Sequence, residues 1–413
     1  MADKYVDLNT GEGFSTGDAG TSGDPFVGCY GMQKALDTVA AGETIFVTGT
    51  ANLNKLVTLT VGADKTGTWV VGDAVRNNTG SGNHWTGVLC ERTSSTMLIE
   101  LDTGDYGTVT TSEGIENTTR SDTVTCSAKM CPGMVVDTTD GTVYLPVNII
   151  GCNNSTSWIP GTLAVFDGVN TSHINYAINS TKIQYSLSFI EIKNCGSHGV
   201  YHVINAWKFL QCSIHNNAGN GVYSFWGGYS SVFENCKIYS NSLDGIRTGA
   251  YSHILFSKIY SNGNSGVMFD GAYGIVFGNT CYNNAYFHIN LGDGDGYNII
   301  GNILHGQTNG SYAALYMGNG VASHTVIIGN RITGNAGYGI KWYYEPTSKI
   351  GNSTIEDWNY FQSNTSGDRY KIPTGANSVS GSDTNYGYTD YTNGDFSLVS
   401  IATLRRTAIN LDW

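Results

Sequence analysis

Three groups of residues in this sequence have the types and spacing to do chemistry. Asp244, Arg247 and Asp270 bring two carboxylates and a guanidinium into neighbouring repeats. Such a set could act as acid and base on a sugar polymer or bind its hydroxyls, and it could equally be turn aspartates with a surface ion pair. Tyr223, Trp226 and Tyr229 in "GVYSFWGGYS", with Trp342 and Tyr343 in "IKWYYEP", offer flat aromatic faces of the kind that sugars stack on. Packing and subunit contact are the competing uses of such rings. "GDGDGYN" (292–298) places Asp293, Asp295 and Asn298 as oxygen ligands, and calcium is the one metal the sequence points to. The glutamate that would close a twelve-residue calcium loop is missing, and a glycine-rich turn accounts for the same residues. His198, His215 and His288 lie in unlike turns, without the spacing of a metal-binding pair.

These groups need a frame, and the frame is a repeat. "IYSNSLDGI" (238–246) returns as "IYSNGNSGV" (259–267), with a start-to-start step of 21 residues. The Gly-aliphatic pairs Gly199-Val200, Gly221-Val222, Gly245-Ile246, Gly266-Val267 and Gly339-Ile340 mark further copies, joined by His288-Ile289 and Ala314-Leu315. Asn217, Asn241, Asn262, Asn284 and Asn335 recur in step. Alternating apolar runs such as "HILFSKI" (253–259) precede them, and period two marks strands. A unit of about 22 residues holds two or three strands and no helix, which is one coil of a β-solenoid. Stacked coils place like on like, so the asparagines are expected to form a hydrogen-bonded ladder. Cys212 and Cys236, followed by Ser257 and Gly278, are expected to form a column of small inward residues. The repeated glycine is expected to turn the chain at positive φ.

Composition narrows the partners. Charged residues make up 13% of the 413, formal net charge is −12, and the chain carries 54 Gly and 26 Tyr. With no basic cluster beyond Arg405-Arg406, nucleic acid is excluded as a partner. No apolar run is long enough to span a membrane, and "MADKYVDLNTG" lacks the apolar core of a signal peptide. Nine cysteines without a C-x-x-C read as buried thiols.

The repeat phrase resembles the right-handed parallel β-helix of pectate-lyase-like proteins. The opening segment (4–49) is similar too, with its Tyr-Val-Asp strand, its Gly/Asp loop, the short helix "QKALDTVAAG" and the strand "ETIFVTG". The resemblance implies an all-β fold: a right-handed parallel β-helix with an N-terminal capping helix and a small inserted β-module. The parts are a cap and first coil (1–61), an inserted β-rich module (62–130), coils (131–370) and a closing segment (371–413). The resemblance also implies two functions. One is a structural virion surface protein, of the phage tailspike, fibre or head-decoration type, touching host polysaccharide. The other is a polysaccharide lyase or glycoside hydrolase, extracellular rather than in a virion. The sequence leaves enzyme and non-enzyme open. The virion form carries the expectation of a homo-oligomer, a trimer, or of other virion proteins as partners, with "ATLRRTAINLDW" (402–413) buried at the contact.

Overall fold

The computed structural model describes residues 3–8, 19–77, 85–104, 108–110, 114–130, 134–136, 146–169, 174–203, 206–224, 229–292, 294–318, 324–343, 354–372, 374–381 and 388–398. The chain forms two compact units, Met1–His202 and Val203–Trp413. Among the described residues no helix is long and apolar enough to cross a membrane.

In the second unit three residues make a strand and one residue makes a corner. Lys258–Tyr260 shows the rule: Ile259 is fully buried while Lys258 and Tyr260 face outward. Phe256 before this strand and Ser261 after it have φ of 50° and 55°, left-handed bends that swing the chain onto the next face. One coil thus runs His253–Leu255, Lys258–Tyr260, Ser265–Phe269, and returns to the first face at Ile275–Phe277. Every strand pairs in parallel with its counterpart one coil on. Three sheets result, which we number by their order within a coil. Inward residues meet in register: Ile214, Ile238, Ile259, Cys281, Leu304 and Ile332 form one such file in the second sheet.

The expected ladder is present. The Asn217 amide donates to Asn241 Oδ1 at 2.9 Å, Asn241 to Asn262 at 3.0 Å, and Asn262 to Asn284 at 2.9 Å. A second ladder, which the repeat phrase does not announce, runs through Asn279, Asn302, Asn330 and Asn359 with each amide step at 3.0 Å. It corrects the cysteine column. Ser257 is followed by Asn279, whose Oδ1 accepts from Ser257 N at 2.8 Å, because Gly278 is the corner residue (φ 67°) and the counterpart of Phe256.

The repeated glycine also has a different cause from the expected one. Gly221, Gly245, Gly266 and Gly339 are absent from the positive-φ glycines. A Cβ on Gly245 would lie 2.7 Å from Gly266 O and 2.8 Å from Asn262 Nδ2, so the coils stack too closely there for any side chain. Gly245→Ala should therefore lower unfolding stability by about 1–3 kcal/mol in urea titration. Gly67→Ala, with nothing within 4 Å of its Cβ, should leave stability nearly unchanged.

The first unit has three parallel faces of its own. Thr44–Thr48 pairs with Lys4–Asp7 and with Val147–Gly151, Thr50–Asn52 pairs with Ala164–Asp167, and Met134–Val136 with Tyr176–Ser180. Helix α1 (Gly28–Thr38) packs against Lys4–Asp7, Thr50–Asn52 and Met134–Val136, one strand from each face, and so caps the stack. It starts before the expected "QKALDTVAAG" because a distant carboxylate serves its first turn. Buried Glu100 accepts from Cys29 N at 2.6 Å and Tyr30 N at 3.3 Å. Glu100 belongs to the insert, a closed antiparallel six-stranded barrel from Leu56–Val61 to Asp122–Met130. Tyr30 Oη donates to Glu91 of the same barrel at 2.8 Å.

The last described strands of the second unit form a hairpin, Tyr388–Asp390 with Asp395–Leu398. It lies on the outer face of the second sheet, with the Phe396 ring 5.0 Å from that of Tyr282 and Arg331 held between Tyr360 (4.3 Å) and Tyr388 (4.7 Å). The segment "ATLRRTAINLDW" lies outside the described residues.

Candidate functional site

The third sheet of the second unit, from Val222–Ser224 to Gly367–Tyr370, carries the candidate site on its outer face. Strand alternation turns one residue of each coil outward, directly after the buried aliphatic of the repeat. Register then lines these residues up as Tyr223, Arg247, Met268, Asn290, Tyr316, Lys341 and Tyr370. All are half-buried. At the usual strand spacing the file is about 29 Å long. Aromatic and cationic groups support each other along it. The Arg247 guanidinium sits 5.4 Å from the Tyr223 ring, and Lys341 Nζ lies 5.7 Å from the rings of both Tyr338 and Tyr370. Tyr312 and Tyr316 both pack against Phe287, at 5.0 and 4.9 Å, and Tyr343 meets Tyr316 at 6.5 Å. Burial, then the neighbouring Tyr343 and Tyr312, pushes the Tyr316 hydroxyl above its ordinary pKa, so it remains a neutral donor.

The expected acid–base group separates into two parts. Arg247 and Asp270 come together: Nε donates to Oδ2 at 2.7 Å and Nη2 to Oδ1 at 3.2 Å. The pair is partly open, with side chains 37% and 24% exposed, and Asp270 holds the Arg247 pKa above its usual value. Asp244 is buried beneath this face. Its Oδ1 accepts from Ser265 N at 2.9 Å, while its own N–H donates to Asn220 Oδ1 at 2.8 Å, so it continues a third inter-coil column. Burial raises the pKa of Asp244, against the opposing hydrogen bonds from Ser265. The geometry gives Asp244 a structural role and leaves Arg247–Asp270 as a charged patch that can exchange partners with a ligand.

Among the expected sugar contacts, Tyr223 and Tyr343 stand on this face, and Tyr229 is exposed in the turn before the next coil. Trp342 follows the outward Lys341 by one residue and therefore points inward, 9% exposed. Trp226 and Asp293 lie outside the described residues. Asp295 gives its backbone carbonyl to Tyr273 N at 2.8 Å, and Asn298 stands on a different face, in the first sheet. Among the described residues no group of three or more His, Cys, Asp or Glu could hold a metal ion. Sequence reasoning missed Met268, Asn290, Tyr316 and Tyr370. The signal for the first three was there: the residue after each repeat aliphatic (Val267-Met268, Ile289-Asn290, Leu315-Tyr316) is the outward one.

One strand per coil in each of three parallel sheets, inward ladders and left-handed corners define a parallel β-helix. Residues 188–355 match the family model described as a right handed beta helix region. Among solved structures, a rhamnogalacturonan lyase is similar at 12% identity and a TM-score of 0.58, covering 98% of this chain and 98% of that one. A pectate lyase matches at 13% identity, over 98% of this chain and 91% of that chain, with a TM-score of 0.49. The Dettilon tailspike protein matches at 14% identity over 60% of this chain and 59% of its own, with a TM-score of 0.39. No curated protein matches the sequence.

Proposed function

We propose that the second unit binds an extended polysaccharide along the outer face of its third sheet, as a structural surface protein of a virion of the tailspike, fibre or decoration type. The observation that carries the binding is the in-register file from Tyr223 to Tyr370, in which tyrosines, an amide and two cations repeat at strand spacing. Such a file offers ring faces and hydrogen-bond donors to a linear chain of sugars. A binding role is favoured over cleavage because Asp244 is spent on the backbone and Asp270 on Arg247. The virion form draws support from the cysteines: among the described residues Cys90, Cys152, Cys236 and Cys281 are buried thiols outside any disulfide, as expected of a chain that folds in a reducing cytoplasm.

A second reading, polysaccharide lyase or glycoside hydrolase, rests on Arg247 and Asp270 beside Tyr223, partly open to solvent near the Tyr223 end of the face. One experiment separates the two. The protein is run through gels containing a panel of bacterial polysaccharides, and the same polymers are assayed for reducing ends and unsaturated products. Binding predicts retardation without products, weakened about tenfold by Tyr316→Ala at unchanged melting temperature, since loss of one stacking contact is worth roughly 1–1.5 kcal/mol. Product formation lost in Arg247→Ala would establish the enzyme. Retardation identical in Tyr316→Ala and Tyr370→Ala would remove this face from consideration.

A further inference from the structure

The first sheet of the second unit shows a different outer surface. Its strands Ile275–Phe277, Asn298–Ile300 and Val326–Ile328 turn Ile275, Phe277, Ile300, Val326 and Ile328 outward beside the lone amide of Asn298. No charged side chain faces out from these three strands; the flanking strands add His253 at one edge and Asp357 at the other. Both corners bordering the sheet carry exposed aromatics: Tyr251 (52% exposed) and Tyr273 (50%) on one side, Phe256 (51%) and Trp358 (39%) on the other.

These four aromatics occupy left-handed corners, with φ of 57°, 61°, 50° and 57° respectively. Bulky side chains rarely take that conformation. Neighbouring coils use glycine at the same corners, Gly278, Gly301 and Gly329 in the Phe256 column and Gly296 in the Tyr273 column. The corner therefore does not call for an aromatic. The next coil is also shaped around the ring. A Cβ on Gly278 would lie 2.8 Å from the Phe256 ring, and one on Gly296 would lie 2.5 Å from the Tyr273 ring. The rings thus lie flat over glycines of the following coil and widen the apolar sheet into a platform. The left-handed bend is common to the corners of the coils, filled elsewhere by residues such as Gly, Asn, Ser or Gln; the aromatics at these four add exposed apolar area, which marks an interaction surface.

We propose that this platform is the face through which a second copy of the chain docks, sheet against sheet. Charge favours a copy as the occupant. The chain carries a net −12, so two copies repel over most of their surfaces and meet most easily where neither presents charge. Size agrees. The five strands from His253–Leu255 to Ile355–Asp357, about 4.8 Å apart, by five residues at about 3.3 Å, make roughly 400 Å² per copy and about 800 Å² for the pair, the size of a weak and reversible association. A sugar polymer fits less well, because the three central strands have one amide where a glycan site needs several convergent polar groups. A two-fold contact uses the same patch on both copies, which an apolar face satisfies without further complementarity.

The test is the mass of the full-length chain by sedimentation velocity between 1 and 100 µM. We expect reversible association in the native sequence. Phe256→Gly/Tyr273→Gly restores the residue other coils use, so its melting temperature should not fall, while association weakens at least tenfold. Ile300→Lys/Ile328→Lys should be monomeric throughout. A native chain that is monomeric at 100 µM overturns the proposal, as does association unchanged in both variants. A monomer whose platform variants lose polysaccharide retardation would assign the face to a glycan and overturn it equally.

Discussion

Asn262→Ala should destabilise the second unit by about 3–5 kcal/mol, among the largest losses any single side-chain truncation can cause here. Asn262 is 1% exposed, and both ends of its amide are in use. Its Oδ1 accepts from Asn241 N at 3.2 Å and from Asn241 Nδ2 at 3.0 Å, while its Nδ2 donates to Asn284 Oδ1 at 2.9 Å and to Ile238 O at 3.4 Å. Alanine leaves two donors of Asn241 without partners in a dry interior, each costing about 1–3 kcal/mol. No water can be recruited without opening the coil. Asn262→Asp should be worse, because it deletes the donors and sets a carboxylate against Asn284 Oδ1. Guanidinium unfolding followed by circular dichroism measures the loss. A change under about 1 kcal/mol would show that the ladder is incidental to stability and that the buried aliphatic files hold the coils together.

The ladder shows what was legible in the sequence. A solenoid repeats its geometry, so every residue that solves a geometric problem repeats too, and "I-x-x-N-x-x-x-G-[IV]" spells out the inward isoleucine, the ladder amide and the close-packed glycine. The residue after that phrase was equally placed, and it lines the candidate site. What the phrase cannot carry is the reason for a residue. Gly245 was legible as obligatory, yet a positive φ and a coil stacked too close for a Cβ leave the same mark in sequence, and only the position of Gly266 O distinguishes them. The beginning of α1 was hidden because its cap, Glu100, comes from the barrel 71 residues on from Cys29. Asp244 looked like an acid because an aspartate before Gly-Ile reads the same whether its carboxylate faces solvent or the next coil's N–H.

The second large effect should appear on acidification: between pH 6.5 and about 3 the second unit should lose up to roughly 4–5 kcal/mol through His288 alone. His288 stands where other coils carry the close-packed glycine. It fits because the ladder breaks beside it: Gln307 takes the asparagine position but sends its Nε2 to Tyr286 O at 2.8 Å, outside the amide file. The imidazole closes the gap, with Nδ1 3.1 Å from Asn284 Nδ2 and Nε2 3.1 Å from Asn335 Oδ1. Those partners require a neutral ring that accepts at Nδ1 and donates at Nε2. Asn284 cannot turn over to receive a second proton, because its Oδ1 is already the acceptor for Asn262. Burial first, and then the nearby His305, push the His288 pKa down to about 3. An unfolded histidine titrates near 6.5, so below that pH the unfolded chain binds the proton and the native one does not. Stability is therefore complete above pH 6.5 and falls as pH descends toward 3. His305, pushed down to about 4 by burial under Tyr388, Tyr391 and Phe396 of the hairpin, acts in the same direction. Comparing unfolding midpoints at pH 7 and pH 4.5 for the native chain and His288→Gln isolates the residue. Glutamine can still span the two amides but does not titrate, so its pH dependence should be shallower by roughly 2–3 kcal/mol over that interval. Equal slopes in the two proteins would mean that His288 is charged without penalty, and that the ladder relaxes around it.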